Sequence, residues 1–162
     1  MQKKPAEVAS RIMFAPEEAV YAALTDPEQL AVWLAPQDAV ARFESFDMRP
    51  GGTFRLAVTH HDDRVDIFTG RFVDIIWEQQ IVHLLEYAPA GARMSGHMRV
   101  AWTVEDQAAG TCVRVGVRRV PSGMDRAELM KQLDAMLERL SFLVERLPSA
   151  SIIFSEAGAR SC

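Results

Sequence analysis

The stretch Phe43-Glu44-Ser45-Phe46-Asp47-Met48-Arg49-Pro50-Gly51-Gly52-Thr53-Phe54-Arg55-Leu56-Ala57-Val58-Thr59 decides the fold class. Within it, Arg49-Pro50-Gly51-Gly52 puts proline second and glycine third in a four-residue turn, the type II pattern, whose third residue takes positive φ. Phe54, Leu56 and Val58 then alternate with Arg55 and Thr59, the two-residue period of a half-buried strand. Phe43–Asp47 and Phe54–Thr59 therefore read as the arms of an antiparallel hairpin.

Moving outward, the same alternation runs from Ala39 to Arg119, broken at His61-Asp62-Asp63, Trp77-Glu78-Gln79, Pro89-Ala90-Gly91 and from Asp106 to Gly110. Six strands result. Met98, Val100 and Trp102 oppose Arg99 and Thr103, and Val113, Val115 and Val117 oppose Arg114 and Arg118, so one face of the sheet is dry and the other wet. Ile67–Ile76 and Ile81–Tyr87 are apolar on both faces, which leaves their phase open.

Upstream, Val8 to Phe14 reads as a seventh strand, ending at Ala15-Pro16 with Pro16 expected as the first position of a helix and Glu17 and Glu18 in its first turn. Asp26 is expected to cap a second short helix, with Pro27 at its first position and Gln29 as the reciprocal capping-box partner. Leu30, Trp33 and Leu34 form its apolar side before Pro36. Downstream, Asp125 and Glu128 open the longest helical signal, which Pro148 closes. Leu129, Leu133, Met136, Leu140, Leu143 and Leu147 make one stripe. Arg126 to Leu147 would reach roughly 33 Å, enough to lie across a sheet of ten-residue strands. One α+β domain over 1–147 is expected, followed by a mobile tail, 148–162, in which only Ile152-Ile153-Phe154 could dock.

At 162 residues, 49% hydrophobic and 25% charged, the chain has the composition of a single globular domain. A net charge of −4 argues against nucleic acid as a partner. No signal peptide or membrane span can be drawn, so no membrane partner is expected. Two cysteines, Cys112 and Cys162, suggest neither a disulfide framework nor a zinc cluster, and a cytoplasmic location fits that reading.

The order of strand, two short helices, six antiparallel strands and one long C-terminal helix describes the helix-grip fold, a curved sheet wrapped around the last helix. Residues Ala15-Pro16-Glu17-Glu18-Ala19-Val20-Tyr21-Ala22-Ala23-Leu24-Thr25-Asp26-Pro27-Glu28-Gln29-Leu30-Ala31-Val32-Trp33 and Phe46-Asp47-Met48-Arg49-Pro50-Gly51-Gly52-Thr53-Phe54-Arg55 sharpen this. They resemble the SRPBCC (START-like) superfamily, and within it the family named after the C-terminal domain of the activator of the 90-kDa heat-shock protein's ATPase. The resemblance runs from about Arg11 to Leu147. It departs at Leu34, where relatives often carry a second aromatic, and at Gly123-Met124, where they often carry Gly-Trp. The eukaryotic cochaperone has a further N-terminal domain for which this chain has no residues, so chaperone activation is not carried over.

The resemblance implies an internal cavity between helix and sheet. Trp33, Phe54, Phe68, Phe72 and Trp102 are its candidate aromatic lining, Met130 and Met136 adaptable ones, and Leu133 and Leu137 lie where it would be deepest. His83 shares a face with Ile81, Leu85 and Tyr87 and is the candidate interior polar group; His97 shares one with Arg99 and Thr103. His60-His61-Asp62-Asp63 reads as a solvated hairpin tip, because consecutive side chains diverge and a metal ion needs convergence. No metal, cofactor or catalytic residue is therefore expected. The expected activity is binding of a small hydrophobic molecule in the cavity. A chaperone-cofactor-like interaction module, with another protein or a second copy as partner, is the rival, and a small cyclase-like enzyme follows only by analogy.

Overall fold

A computed structural model describes residues 7–88, 97–121, 123–146 and 162. Seven strands form one antiparallel sheet: β1 (Glu7–Met13), β2 (Ala39–Phe46), β3 (Thr53–His60), β4 (Val65–Ile76), β5 (Gln80–Ala88), β6 (Met98–Gln107) and β7 (Gly110–Arg118). Their spatial order is β1-β7-β6-β5-β4-β3-β2, so the first strand closes the edge beside the last. Helices α1 (Glu17–Thr25) and α2 (Pro27–Leu34) follow β1, and α3 (Arg126–Glu145) follows β7. The sheet curls into a half-barrel around α3, the helix-grip architecture.

Local chemistry accounts for most of these boundaries. Gly51 takes φ +83° and the Gly52 N–H donates to the Arg49 carbonyl at 2.8 Å, as a type II turn requires. That turn also exchanges hydrogen bonds with Phe72 of β4, through the Gly51 and Phe72 N–H groups at 2.8 and 2.9 Å. The β4–β5 register shifts between Phe72 and Asp74, and the β2–β3 register between Phe43 and Ser45. Each shift inserts an extra residue and bends its strand, which is how a flat meander becomes a curved one. Asp26 accepts from the Glu28 N–H at 3.0 Å and Asp125 from the Ala127 N–H at 2.9 Å, the two expected caps. Gln29 departs from the expected box: its amide donates to the Asp26 carboxylate, because the Asp26 N–H is already given to the Ala22 carbonyl at the end of α1. Pro16 stands one residue before α1, with extended backbone, so Glu17 is the first helical residue.

The wet and dry faces fall as the alternation implies. Phe54, Leu56 and Val58, Met98, Val100 and Trp102, and Val113, Val115 and Val117 are all buried. On α3, Leu133, Leu137, Leu140 and Val144 complete the core. The helix lies beside β1 and the two short helices. Arg126 pairs with Glu7 at 2.9 Å at one end, and Glu145 accepts from the Phe14 N–H at 3.3 Å at the other. Among the described residues no helix is long and apolar enough to cross a membrane.

The cysteines require a correction. Cys112 and Cys162 form a disulfide, 50 residues apart in sequence. Cys112 lies on the outer phase of β7, opposite Ile12 of β1. Cys162 is held beside it by donating its N–H to Ser10 Oγ at 3.2 Å and accepting from Arg114 at 3.4 Å. The end of the expected mobile tail is therefore fixed to the sheet. A disulfide also removes the ground on which the cytoplasmic expectation stood. Residues 147–161, with Ile152-Ile153-Phe154, and the turn at Pro89-Ala90-Gly91 lie outside the described residues.

Candidate functional site

The inner faces of β3 to β6 and the first half of α3 do not meet. Because α3 is anchored along β1, α1 and α2, its cavity-facing side stands away from the middle of the sheet, leaving a cavity of about 570 Å³. Its floor is apolar: Phe54, Leu56 and Val58 from β3, Phe68 and Phe72 from β4, and Met98, Val100 and Trp102 from β6. Leu129, Leu133 and Met136 of α3 face them.

Of the expected lining residues, Trp33, Phe54, Phe68, Phe72, His83, Trp102, Leu133 and Met136 stand on the wall, and Met130 and Leu137 do not. Helix geometry explains the two exceptions. Residues turn by about 100° each, so Leu129, Leu133 and Met136 share one face while Leu137 is rotated away from it. Leu137 is 1% exposed and packs in the core beneath. Met130 packs against that core from its rim.

The aromatic end is tightly built. The Trp33 indole N–H donates to the Ala23 carbonyl at 2.8 Å, and its ring meets Trp102 edge to face at 5.3 Å. Phe54 and Phe72 lie 5.4 Å apart, with Phe43 and Phe46 edge-on behind them. Gly70 makes room for this group, since a β-carbon there would strike the Phe54 ring at 2.2 Å. His83 is set among these rings, 5.4 Å from Phe54 and 6.2 Å from Phe72. Its Nδ1 is buried without a hydrogen-bond partner among the described residues. Burial pushes its pKa down to about 4, with the Leu84 backbone opposing, so the ring is neutral at pH 7.

The rim is polar and escaped the sequence reading. Asp125, Glu128, Gln132 and Arg139 approach from α3, and His60 and Asp66 from the sheet. The α3 residues follow the three-and-four spacing of Leu129 and Leu133, so the helical period contained them once one wall residue was known. His60 differs from the expected solvated tip: it continues the inward phase of Phe54, Leu56 and Val58, and its Nε2 lies 2.8 Å from Asp66. His61, Asp62 and Asp63 are exposed, with Asp62 paired to Arg64 at 2.6 Å. Among the described residues no three His, Cys, Asp or Glu side chains converge to hold a metal. His97 is exposed, 3.7 Å from Glu86. Arg139 donates through Nε to the Trp33 carbonyl at 2.8 Å, tying α3 to the last turn of α2, where a cation is favoured. Desolvation lowers its pKa from the usual guanidinium range.

Residues 14–145 match the family described as Activator of Hsp90 ATPase homolog 1-like protein. No curated protein matches the sequence. Among solved structures, a protein from Chromobacterium violaceum is similar with a TM-score of 0.80 and 25% identity, over 87% of this chain and 97% of that one. A protein from Arthrobacter aurescens has a TM-score of 0.77 at 17% identity, over 88% and 87%. An AHSA1-like protein from Aeromonas hydrophila has a TM-score of 0.75 at 19% identity, over 86% and 92%.

Proposed function

Since the chain belongs to the Activator of Hsp90 ATPase homolog 1-like family, we propose that it binds a small, mainly apolar molecule in the cavity between the sheet and α3. The observation that carries this reading is the cavity itself, about 570 Å³ with an aromatic and aliphatic floor and a polar rim. Small-molecule pockets run from about 300 to 1,000 Å³ and combine apolar walls with a few orienting polar groups. Burial of apolar ligand surface would supply about 25 cal/mol per Å² before ordering costs. The reading asks for no reaction step.

Among the described residues, the large exposed apolar side chains come from β1, α2, β2, β4, the β4–β5 turn and α3, with Val73, Ile76 and Trp77 near one another in sequence. The test has two arms. Mass spectrometry of an organic extract of gently purified protein should find a stoichiometric apolar compound. An apolar fluorescent probe should bind wild type and be excluded by Met136→Trp, whose ring would enter the cavity. Protein that yields no compound and binds no probe would sink the reading in favour of the interaction module.

A further inference from the structure

Resting on the cavity reading, we propose that the ligand carries an uncharged hydroxyl that pairs with His83 between the rings of Phe54 and Phe72. Three observations lead there. The first is the place of the ring: His83 lines the cavity, and because its Nδ1 is buried against the protein without a hydrogen-bond partner among the described residues, Nε2 is the nitrogen left to meet a ligand. A ring nitrogen that faces an apolar cavity without a partner would gain a hydrogen bond from a suitable group on a ligand.

The second is the state of the ring. Surrounded by Phe54, Phe72 and Val100, His83 is held neutral, and a neutral imidazole presents one N–H donor and one lone pair. A hydroxyl serves either tautomer because it both donates and accepts. A carbonyl serves only the nitrogen that bears hydrogen, and a hydrocarbon serves neither.

The third is the charge at the rim. Asp66, Asp125 and Glu128 stand there against Arg139, whose Nε is already committed to the Trp33 carbonyl, so the entrance repels an anionic ligand more than it attracts one. A charged group would also have to shed its water to reach the phenylalanine rings. Apolar alcohols and phenols remain as the class that fits.

The experiment compares 2-naphthol, 2-methylnaphthalene and 2-naphthoate, which share a ring system and differ in one substituent, by calorimetric titration at pH 7. Wild type should prefer 2-naphthol over 2-methylnaphthalene by roughly three- to tenfold, the range expected of one net hydrogen bond. It should bind 2-naphthoate most weakly. In His83→Phe the preference for the alcohol should vanish while 2-methylnaphthalene still binds. If that variant does not fold, ring-nitrogen NMR of wild-type His83 replaces it, and the signal should move with 2-naphthol and stay with 2-methylnaphthalene. Equal affinity for alcohol and methyl compound, tighter binding of 2-naphthoate, or a preference that survives in His83→Phe would each overturn the inference while leaving the cavity reading intact. Binding of none of the three would overturn the cavity reading, and the inference with it.

Discussion

In the second half of α3, Leu137, Leu140, Ser141 and Val144 are at most 1% exposed, whereas Leu129 and Met130 of the first half are only partly buried. Both halves carry apolar residues at helical spacing. The second half is pressed into the core, and the first spans an opening with the sheet on its far side. Apolar residues at helical spacing thus serve two purposes, cohesion at one end and a cavity wall at the other. What separates them is the distance to the facing surface.

The sharpest way to break the comparison is truncation. Leu140→Ala, which removes a side chain with no exposure, should cost about 2–5 kcal/mol, because both transfer energy and a new void count against it. Leu129→Ala, on the cavity wall, should cost far less. Urea denaturation of the two variants measures this directly, and equal losses would mean that the first half is packed as tightly as the second.

Removing the cross-link should rank next. Cys162→Ser opens a loop of 50 residues of sequence separation that contains all of α3, and about 2–4 kcal/mol of stability should go with it. Cys112 is on the outer phase of β7, across the sheet from the cavity, so binding of an apolar probe should persist. A variant that kept its denaturation midpoint but lost probe binding would reverse this assignment.

Adding volume distinguishes neighbours. Leu137→Trp should overpack the core and cost about 1–3 kcal/mol. Met136→Trp, one residue away but facing the opening, should leave the midpoint nearly unchanged. Similar destabilisation of both, measured by thermal unfolding, would argue that no space exists beside Met136.

The last effect concerns pH. The His83 pKa is lowered to about 4 in the folded protein from 6.5, so between these values the unfolded chain binds the extra proton. Its contribution to stability is complete above pH 6.5 and is lost as pH falls toward 4, with a slope of at most about 1.4 kcal/mol per pH unit. Unfolding free energies at pH 7.5, 6 and 5 should therefore fall less steeply in His83→Phe than in wild type. Parallel profiles would show that His83 is hydrated.

Features decided within a few residues are legible in the amino-acid sequence alone. Turn chemistry at Gly51, caps at Asp26 and Asp125, and the alternation of β3, β6 and β7 depend on backbone conformation and on which face a side chain takes, and both follow from neighbours in sequence. The family resemblance implies a cavity, and alternation places Phe54 and Trp102 on its side of the sheet. Only the tertiary structure decides the rest. His83 is ambiguous in sequence because its strand is apolar on both faces, and the register shift beside Phe72 sets the phase on which it pairs with Phe72 and Val100. Leu137 and Met136 are adjacent in sequence, and a rotation of the whole helix against β1 determines which of them meets empty space. Cys112 and Cys162 are joined because Ser10 and Arg114 hold the last residue over the outer face of β7. In each case the deciding quantity is a distance between surfaces remote in the chain, and local pattern carries no information about such distances.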